Sequence, residues 1–234
     1  MMRLDKFLVE THKATRSEAK QMAKKGLITL NGETVRKTDI KIDENTDIIA
    51  VNQEVINYKQ FEYYMLNKPS GVVSATRDNI DKTVIDLISS PNKDLFPVGR
   101  LDKDTEGLLL ITDDGNLAHE LLSPKKHVDK KYYAKIEGIV TEETVNAFEK
   151  GVTIDGDYIT KPAKLEIINS SDISEVLVTI REGKFHQIKK MFLSQNMKVL
   201  YLKRLSMKNL ILDSNLKSGC YRELTKEEII DLKN

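Results

Sequence analysis

The sequence predicts an α+β protein built from two domains of unequal size. With 234 residues, 40% of them hydrophobic, the chain can bury one substantial core and a smaller second core. Short helical patterns and a hairpin pattern fill residues 1–58, whereas strand patterns interspersed with capped helices fill residues 59–234. We place the boundary within residues 52–60, because this stretch is polar and unpatterned enough to be a linker.

The smaller domain is predicted to contain two helices followed by a hairpin. The first helix begins within residues 3–8, where the apolar side chains share one face. Thr15 and Glu18 have capping-box spacing at the start of the second helix, and Gly26 is placed to end it. Residues 27–35 then contain two short strands joined by an Asn-Gly turn.

Strands dominate the prediction for the larger domain. The apolar run at residues 108–111 is long enough for a buried strand, and the Asp114-Gly115 pair after it predicts a hairpin-type turn. In a helix within residues 181–192, Phe185, Ile188 and Phe192 are expected to share an inward face. Further strands are expected at residues 61–66, 95–98, 125–136, 152–154, 158–159, 161–166, 175–180, 199–202 and 207–212, and further helices at 83–88, 116–122, 141–150 and from Thr225 onward.

The stretch at residues 99–115 is the first candidate functional site. Its polar tetrad, Arg100-Leu101-Asp102-Lys103, leads into the buried strand, so the carboxylate of Asp102 is expected at the rim of a rigid core. Catalytic groups often lie on loops carried by such scaffolds. The local pattern alone nevertheless favours a structural role, in which Asp102 accepts hydrogen bonds from nearby backbone amides.

Charge is strongly segregated along a chain whose net charge is only +1. Residues 1–37 carry nine Lys and Arg against four Asp and Glu, and residues 181–208 carry eight against one. The balancing acid lies in residues 137–175, which hold nine acidic and three basic side chains. Two basic patches suit a partner whose phosphates are bound in two places. Charge alone leaves open whether these patches bind nucleic acid or are merely solvated.

The tetrad belongs to a longer motif that is specific to one family. Residues 99–115 read Gly-Arg-Leu-Asp-x-x-Thr-x-Gly-Leu-Leu-Leu-x-Thr-x-Asp-Gly and resemble the central motif of the RsuA-like pseudouridine synthases. The resemblance implies that Asp102 is the essential catalytic residue. It also implies that Arg100 engages a phosphate or occupies the space left by a base that has been flipped out of the RNA.

Two later motifs extend this resemblance. His-Val-x-Lys-x-Tyr at residues 127–132 implies that Tyr132 is the active-site tyrosine, on which the flipped base would stack. Phe-His-Gln-Ile-Lys-Lys-Met-Phe at residues 185–192 implies that Ile188 packs on that tyrosine and that Lys189 pairs with the catalytic aspartate. An earlier Leu-Asn-Lys-Pro-x-Gly motif is mainly structural in the family, so we leave Lys68 out of the chemistry.

The first 58 residues resemble the S4 RNA-binding domain. The resemblance rests on Arg-Leu-Asp-Lys-Phe-Leu at the front, the helix-helix-hairpin pattern, and Asn-Gly after the first strand. It implies that the second helix and the loop before it lie against structured RNA, largely through phosphate contacts. The residues expected to form that face are His12, Lys13, Arg16, Lys20, Lys24 and Lys25.

Together the motifs imply both a fold and a reaction. The expected fold is the S4 domain (1–58) followed by a mixed, mainly antiparallel β-sheet domain with flanking helices (59–234). The expected reaction isomerises uridine to pseudouridine by breaking the glycosidic bond, turning the base and rejoining it through carbon. It calls for an ionised carboxylate and for no cofactor or metal.

Further similarity within the RsuA-like branch of the family narrows the choice of substrate RNA. Phe185-His186, with residues 64–69 and 161–163, is most similar to the members that modify a single uridine of small-subunit (16S) ribosomal RNA, the uridine-516 class. Sister synthases that act on 23S ribosomal RNA or transfer RNA generally have Asn-Arg at these two positions and remain an alternative. A non-catalytic S4-type ribosome-assembly factor and a glycosidase are the alternatives from other classes.

Other features add expectations about context. Cys220 is the only cysteine, and the four histidines show neither metal-ligand nor triad spacing, so ordinary hydrogen bonding is expected for each of them. The sequence shows no membrane-spanning run and no secretory signal, which predicts a cytoplasmic protein. The expected partner of a monomeric chain is small-subunit ribosomal RNA or an assembling 30S particle, with no membrane contact.

Overall fold

The computed structural model describes residues 1–44, 46–56 and 58–234. The chain divides into two compact units. Residues 1–61 and 90–93 form unit 1, and residues 62–89 and 94–234 form unit 2. Within the described residues, every helix is too short or too polar to cross a bilayer.

Unit 1 contains the predicted helices and hairpin. Its helices are α1 (Leu4–Glu10) and α2 (Arg16–Lys24), and its strands are β1 (Met2–Arg3), β2 (Ile28–Leu30), β3 (Glu33–Thr34), β4 (Lys41–Ile42), β5 (Ile49–Val51) and β6 (Glu54–Ile56). The capping box between Thr15 and Glu18 is present, and Gly26 adopts a left-handed φ of 73° just past α2, as predicted. The sheet order is β3-β2-β5-β6, and β1 pairs with β4.

The predicted linker is wrong in its central part. Residues 54–56 form β6, which pairs antiparallel with β5, and Ile56 is buried in the core of unit 1. Asn52 and Gln53, both at positive φ, form the turn between these strands. Polar composition misled the interpretation here, because an edge strand of a small sheet exposes one face and tolerates polar residues. Asn57, also within the predicted linker, lies outside the described residues.

Unit 2 is built on a mixed, mainly antiparallel sheet, as predicted. Its strands are β7 (Tyr63–Lys68), β8 (Phe96–Pro97), β9 (Glu106–Thr112), β10 (Lys130–Glu137), β11 (Thr153–Ile154), β12 (Tyr158–Ile159), β13 (Lys164–Asn169), β14 (Ile173–Ile180), β15 (Lys198–Met207), β16 (Leu210–Ile211) and β17 (Tyr221–Glu223). The order is β13-β14-β10-β15-β9-β7-β17, with β8 beside β9, β16 beside β15, and a separate β11-β12 hairpin. Only the pairing of β9 with β15 is parallel among these described strands.

The helices of unit 2 are α3 (Gly115–Leu122), α4 (Glu142–Lys150), α5 (Gln187–Leu193) and α6 (Lys226–Lys233), and a short 3₁₀ helix spans Ile85–Leu87. Phe148 of α4 and Phe192 of α5 pack with their ring centroids 4.8 Å apart in the core that also buries Tyr132 and Ile188. The sheet face around β10 is thus covered by these side chains, and the start of α5 is fixed against it.

Two local predictions in unit 2 are wrong. Asp114 does not form a hairpin turn, because its side chain accepts a hydrogen bond from the backbone N–H of Leu117 and caps α3. Phe185 is not inward-facing, since its side chain is 70% exposed and α5 begins only at Gln187. His186, at a left-handed φ of 53°, separates Phe185 from the helix. The helical spacing of Phe185, Ile188 and Phe192 therefore does not place Phe185 on the same face as the other two.

Gly107 is required by the parallel contact between β9 and β15. Its φ is 98°, and a Cβ atom here would collide with the backbone of Arg204. The glycine of the central motif therefore lets the two strands approach, which brings the loop before β9 next to β15.

Candidate active site

Asp102 lies on the loop before β9, and the backbone of this loop is anchored from two sides. The hydroxyl group of Ser74 forms two hydrogen bonds with the backbone of Leu101: it donates to the carbonyl oxygen (2.9 Å) and accepts from the N–H (3.1 Å). From the end of β7, the fully buried Lys68 donates through Nζ to the carbonyl oxygens of Asp102 (3.1 Å), Lys103 (3.2 Å) and Thr105 (2.8 Å). Burial lowers the pKa of Lys68 to about 8.

Lys189 of α5 faces the carboxylate that this loop presents. Its Nζ lies 3.1 Å from Oδ2 of Asp102 and 2.6 Å from Oδ1 of Asp104. Burial works to lower the pKa of Lys189, but the hydrogen bonds to Asp104 and Asp102 outweigh it and raise the pKa above the ordinary lysine value. Burial likewise works to raise the pKa of Asp104, and the bond from Lys189 overcomes it and lowers the pKa.

A cleft of about 420 Å³ opens beside this ion pair. It brings together all five residues predicted for catalysis and substrate binding: Arg100, Asp102, Tyr132, Ile188 and Lys189. Tyr132 and Ile188, 6% and 4% exposed, supply an apolar wall, whereas the Asp102 side chain keeps 24% of its surface open.

The structure adds two side chains that the sequence analysis did not select. Asp104 takes the shorter of the two bonds from Lys189. His186 lines the cleft with Nε2 3.7 Å from Oδ1 of Asp102, and its ring stacks on Phe185 at a centroid distance of 3.8 Å. The available signals were the second carboxylate two positions after Asp102 and the histidine three positions before Lys189.

Among the described residues, no group of three or more His, Cys, Asp or Glu side chains is placed so that it could hold a metal ion. Cys220 is exposed.

The six predicted RNA-binding residues of unit 1 are all exposed. Lys20 and Lys24 line a pocket of about 730 Å³ that also includes Arg3, Arg36 and Lys37, three cations that the sequence analysis did not select. Lys13 instead forms an ion pair with Glu54 at 3.1 Å. His12, Arg16 and Lys25 are exposed but do not line this pocket.

Comparisons with known proteins show which family the chain resembles over most of its length. Residues 62–194 match the RNA pseudouridylate synthase family, and residues 2–48 match the S4 domain. Over 97% of each protein, the chain is 46% identical to an uncharacterized RNA pseudouridine synthase, YtzG, of Bacillus subtilis (strain 168). It is 37% identical to ribosomal small subunit pseudouridine synthase A of Escherichia coli (strain K12), over 97% of this chain and 98% of that protein.

A solved structure extends the agreement to three dimensions. A crystal structure of a pseudouridylate synthase superposes with a TM-score of 0.70 at 37% identity, covering 99% of this chain and 100% of the other. The chain therefore belongs to the RNA pseudouridylate synthase family. It is a pseudouridine synthase of the RsuA-like type with an N-terminal S4 domain, which confirms the predicted family and enzyme class.

Proposed function

We propose that this synthase converts one uridine of small-subunit (16S) ribosomal RNA, of the uridine-516 class, into pseudouridine, with Asp102 as the catalytic carboxylate. The main support is the cleft in which Asp102, 3.1 Å from Lys189, lies beside Tyr132 and Ile188. The choice of RNA is supported by the relatives named ribosomal small subunit pseudouridine synthase A.

In the proposed reaction, the bond between uracil N1 and the ribose C1′ breaks and a bond between uracil C5 and C1′ forms. The proton on C5 is lost and N1 gains one, so every atom of the uridine is retained and no second substrate is needed. Asp102 acts either as a nucleophile toward the sugar or base, or as the group that takes the proton. Lys189 stabilises and orients the carboxylate in each case.

The remaining cleft residues hold the extruded base. Taking a base out of its stack costs a few kcal/mol, which contacts in the cleft must offset. Tyr132 supplies the ring on which uracil stacks, and Ile188 the apolar surface beneath it. Arg100 is exposed at the mouth of the cleft, where it engages a phosphate or takes the space that the base leaves.

We further propose that the two modules, 1–58 and 59–234, divide binding and chemistry. In this proposal the S4 module grips the RNA through phosphate contacts and raises the effective concentration of the target at the cleft. The pocket that Lys20 and Lys24 share with Arg3, Arg36 and Lys37 supports this role, because its wall holds five cations and the carboxylate of Asp39, with Arg3 also paired to Asp5 at 2.7 Å. The proposed partner is small-subunit ribosomal RNA, free or in an assembling 30S particle, bound by a monomer.

Mapping pseudouridine in ribosomal and transfer RNA from cells with and without the gene tests the substrate. We expect the loss of one pseudouridine from 16S RNA and its return when the gene is restored. Loss from 23S or transfer RNA instead would assign the chain to a sister specificity. An unchanged map would contradict the proposal.

A further inference from the structure

A second groove, of about 1330 Å³, opens beside the active-site cleft. The two share Arg100, Tyr132 and Lys184 among their walls, so the groove adjoins the cleft. Its basic side chains are Arg100, Lys130, Lys161, Arg181, Lys184 and Arg204. The one carboxylate in its wall, that of Glu182, already accepts hydrogen bonds from Tyr158, Gln187 and the backbone of Lys161.

Two of these cations are buried, which is unusual for unpaired charges. Arg204 is 2% exposed and donates through Nε to the carbonyl of Leu108 at 2.6 Å, but its buried Nη2 has no hydrogen-bond partner among the described residues. Lys130 is 9% exposed, and its Nζ donates to the carbonyl of Val128 at 3.2 Å. Asp129, the carboxylate next to Lys130 in the sequence, forms its ion pair with Arg181 at 2.7 Å.

The strand register places both cations beside the stacking tyrosine. Arg204 of β15 is the direct partner of Tyr132 on β10. Lys130 lies two residues before Tyr132 and is therefore on the same side of β10. Burial and the charge of Arg204 lower the pKa of Lys130 to about 8, although Asp129 acts in the opposite direction. The free protein therefore holds two buried positive charges that repel each other and are offset in part by Asp129, an arrangement that costs stability.

We propose that Lys130 and Arg204 bind one backbone phosphate of the RNA, that of a nucleotide next to the flipped uridine. This inference rests on the proposed function, since it places the phosphate in the groove that leads to Asp102. Both side chains line the groove, so a phosphate there can accept from the ammonium group of Lys130 and places a negative charge beside both cations. It also fixes the backbone beside Tyr132, which positions the extruded base.

The first test replaces Lys130 by methionine, with Lys131→Met as the matched control. Lys131 is the next residue of β10, but it lies outside the groove and pairs with Glu166 at 3.3 Å. We expect Lys130→Met to weaken RNA binding about tenfold or more, because a charge-assisted hydrogen bond to phosphate is lost. The salt dependence of log Kd should fall by about 0.7, the value of one single-strand phosphate contact. The control should change neither quantity.

Thermal unfolding separates this role from a structural one. If the cations serve RNA, Lys130→Met removes a repulsion and the Tm of the free protein stays unchanged or rises. A lower Tm together with unchanged RNA affinity would show that Lys130 serves only the fold, and would overturn the proposal.

The second test changes the RNA and leaves the protein intact. RNAs that carry a single neutral methylphosphonate near the target uridine should bind wild-type protein more weakly at one position, and Lys130→Met should be insensitive at that same position. If no position matters, while inorganic phosphate raises the Tm of wild-type but not of Lys130→Met, the site takes free phosphate and the inference is wrong. Pseudouridine formation by the wild-type protein is scored separately, and its absence would count against the proposed function rather than against this binding site.

Discussion

Lys189 is shared between two aspartates of one loop, and this sharing sets its role. Its bond to Asp104 is shorter than that to Asp102 (2.6 against 3.1 Å). Asp104 is largely exposed, so its attraction for the lysine is screened by solvent. We interpret Asp104 as a positioning residue that holds the ammonium group within reach of Asp102.

Substitution of Lys189 tests this arrangement. We expect Lys189→Met to slow single-turnover pseudouridine formation about 100-fold, because the carboxylate of Asp102 loses the ammonium group that lies 3.1 Å from it. Lys189→Arg should keep most of the rate, since charge and reach are retained. Lys190→Met is the control, because Lys190 lies next to it on α5 but pairs with Asp155 at 2.6 Å. Equal rates for Lys189→Met and Lys190→Met would remove Lys189 from the mechanism.

At the scale of elements, a buried lysine at the end of β7 holds the loop that carries Asp102. Lys68 lies 34 residues before Asp102 in sequence, yet its ammonium group bonds the carbonyl oxygen of that residue. The carbonyls of Asp102 and Lys103 also accept from the backbone N–H groups of Thr105 (3.1 Å) and Gly71 (2.8 Å), so removal of Lys68 takes one of two donors from each of them. The carbonyl of Thr105 loses its bond from Lys68 as well, and a buried acceptor left without a partner costs about 1–3 kcal/mol.

We therefore expect Lys68→Met to lower the Tm by several degrees and to slow pseudouridine formation at least tenfold. The pKa of Lys68 is about 8 in the fold and near 10.5 in the unfolded chain, so the unfolded chain binds more protons between these values. The stability advantage of wild-type over Lys68→Met should thus grow as pH rises from 8 to 10.5. Denaturant unfolding of both proteins across this range measures it, and an advantage that shrinks with pH would contradict the assignment.

The helices and turns also show which elements the sequence could predict. Elements that carry their own capping residues were predicted well: Thr15 and Glu18 form the predicted capping box, and the helix predicted from Thr225 onward is present as α6. The helix predicted at 141–150 is present as α4, which ends at Lys150. Local patterns failed at Asp114, where helix capping and turn formation use the same residue type.

Most of the candidate site was predictable because the family motifs are contiguous. The five cleft residues named from these motifs do line one cleft. The contacts of the buried cations were not predictable. Lys68 bonds the carbonyl of Asp102 and Arg204 bonds the carbonyl of Leu108, and nothing near either cation in the sequence indicates a partner so far along the chain.

At the scale of the whole molecule, the segregated charge corresponds to two separate basic features. One is the pocket of unit 1 around Lys20 and Lys24, and the other is the groove of unit 2 around Lys130 and Arg204. The net charge of +1 hides both, since acidic residues lie elsewhere in the chain. Two basic features suit a partner whose phosphates are bound in two places.

A double variant in unit 1 tests whether this unit contributes to RNA binding and not to the chemical step. We expect Lys20→Ala with Lys24→Ala to weaken RNA binding and to reduce the salt dependence of log Kd by roughly one to two. The single-turnover rate on saturating RNA should stay the same, because the cleft is untouched. Lys41→Ala, an exposed lysine that does not line the pocket, is the control. A slower chemical step with unchanged affinity would contradict the role given to the S4 domain.

The central claim is that the carboxylate of Asp102 performs the chemistry, and the isosteric variant Asp102→Asn tests it most directly. Purified wild-type and Asp102→Asn proteins are incubated with 16S RNA from cells that lack the gene, and pseudouridine formation and RNA affinity are both measured. We predict that the variant binds the RNA as tightly as wild-type and forms pseudouridine more slowly by a factor on the order of 10⁴ or more. Modification by Asp102→Asn at a rate close to that of wild-type would show that the chemistry lies elsewhere.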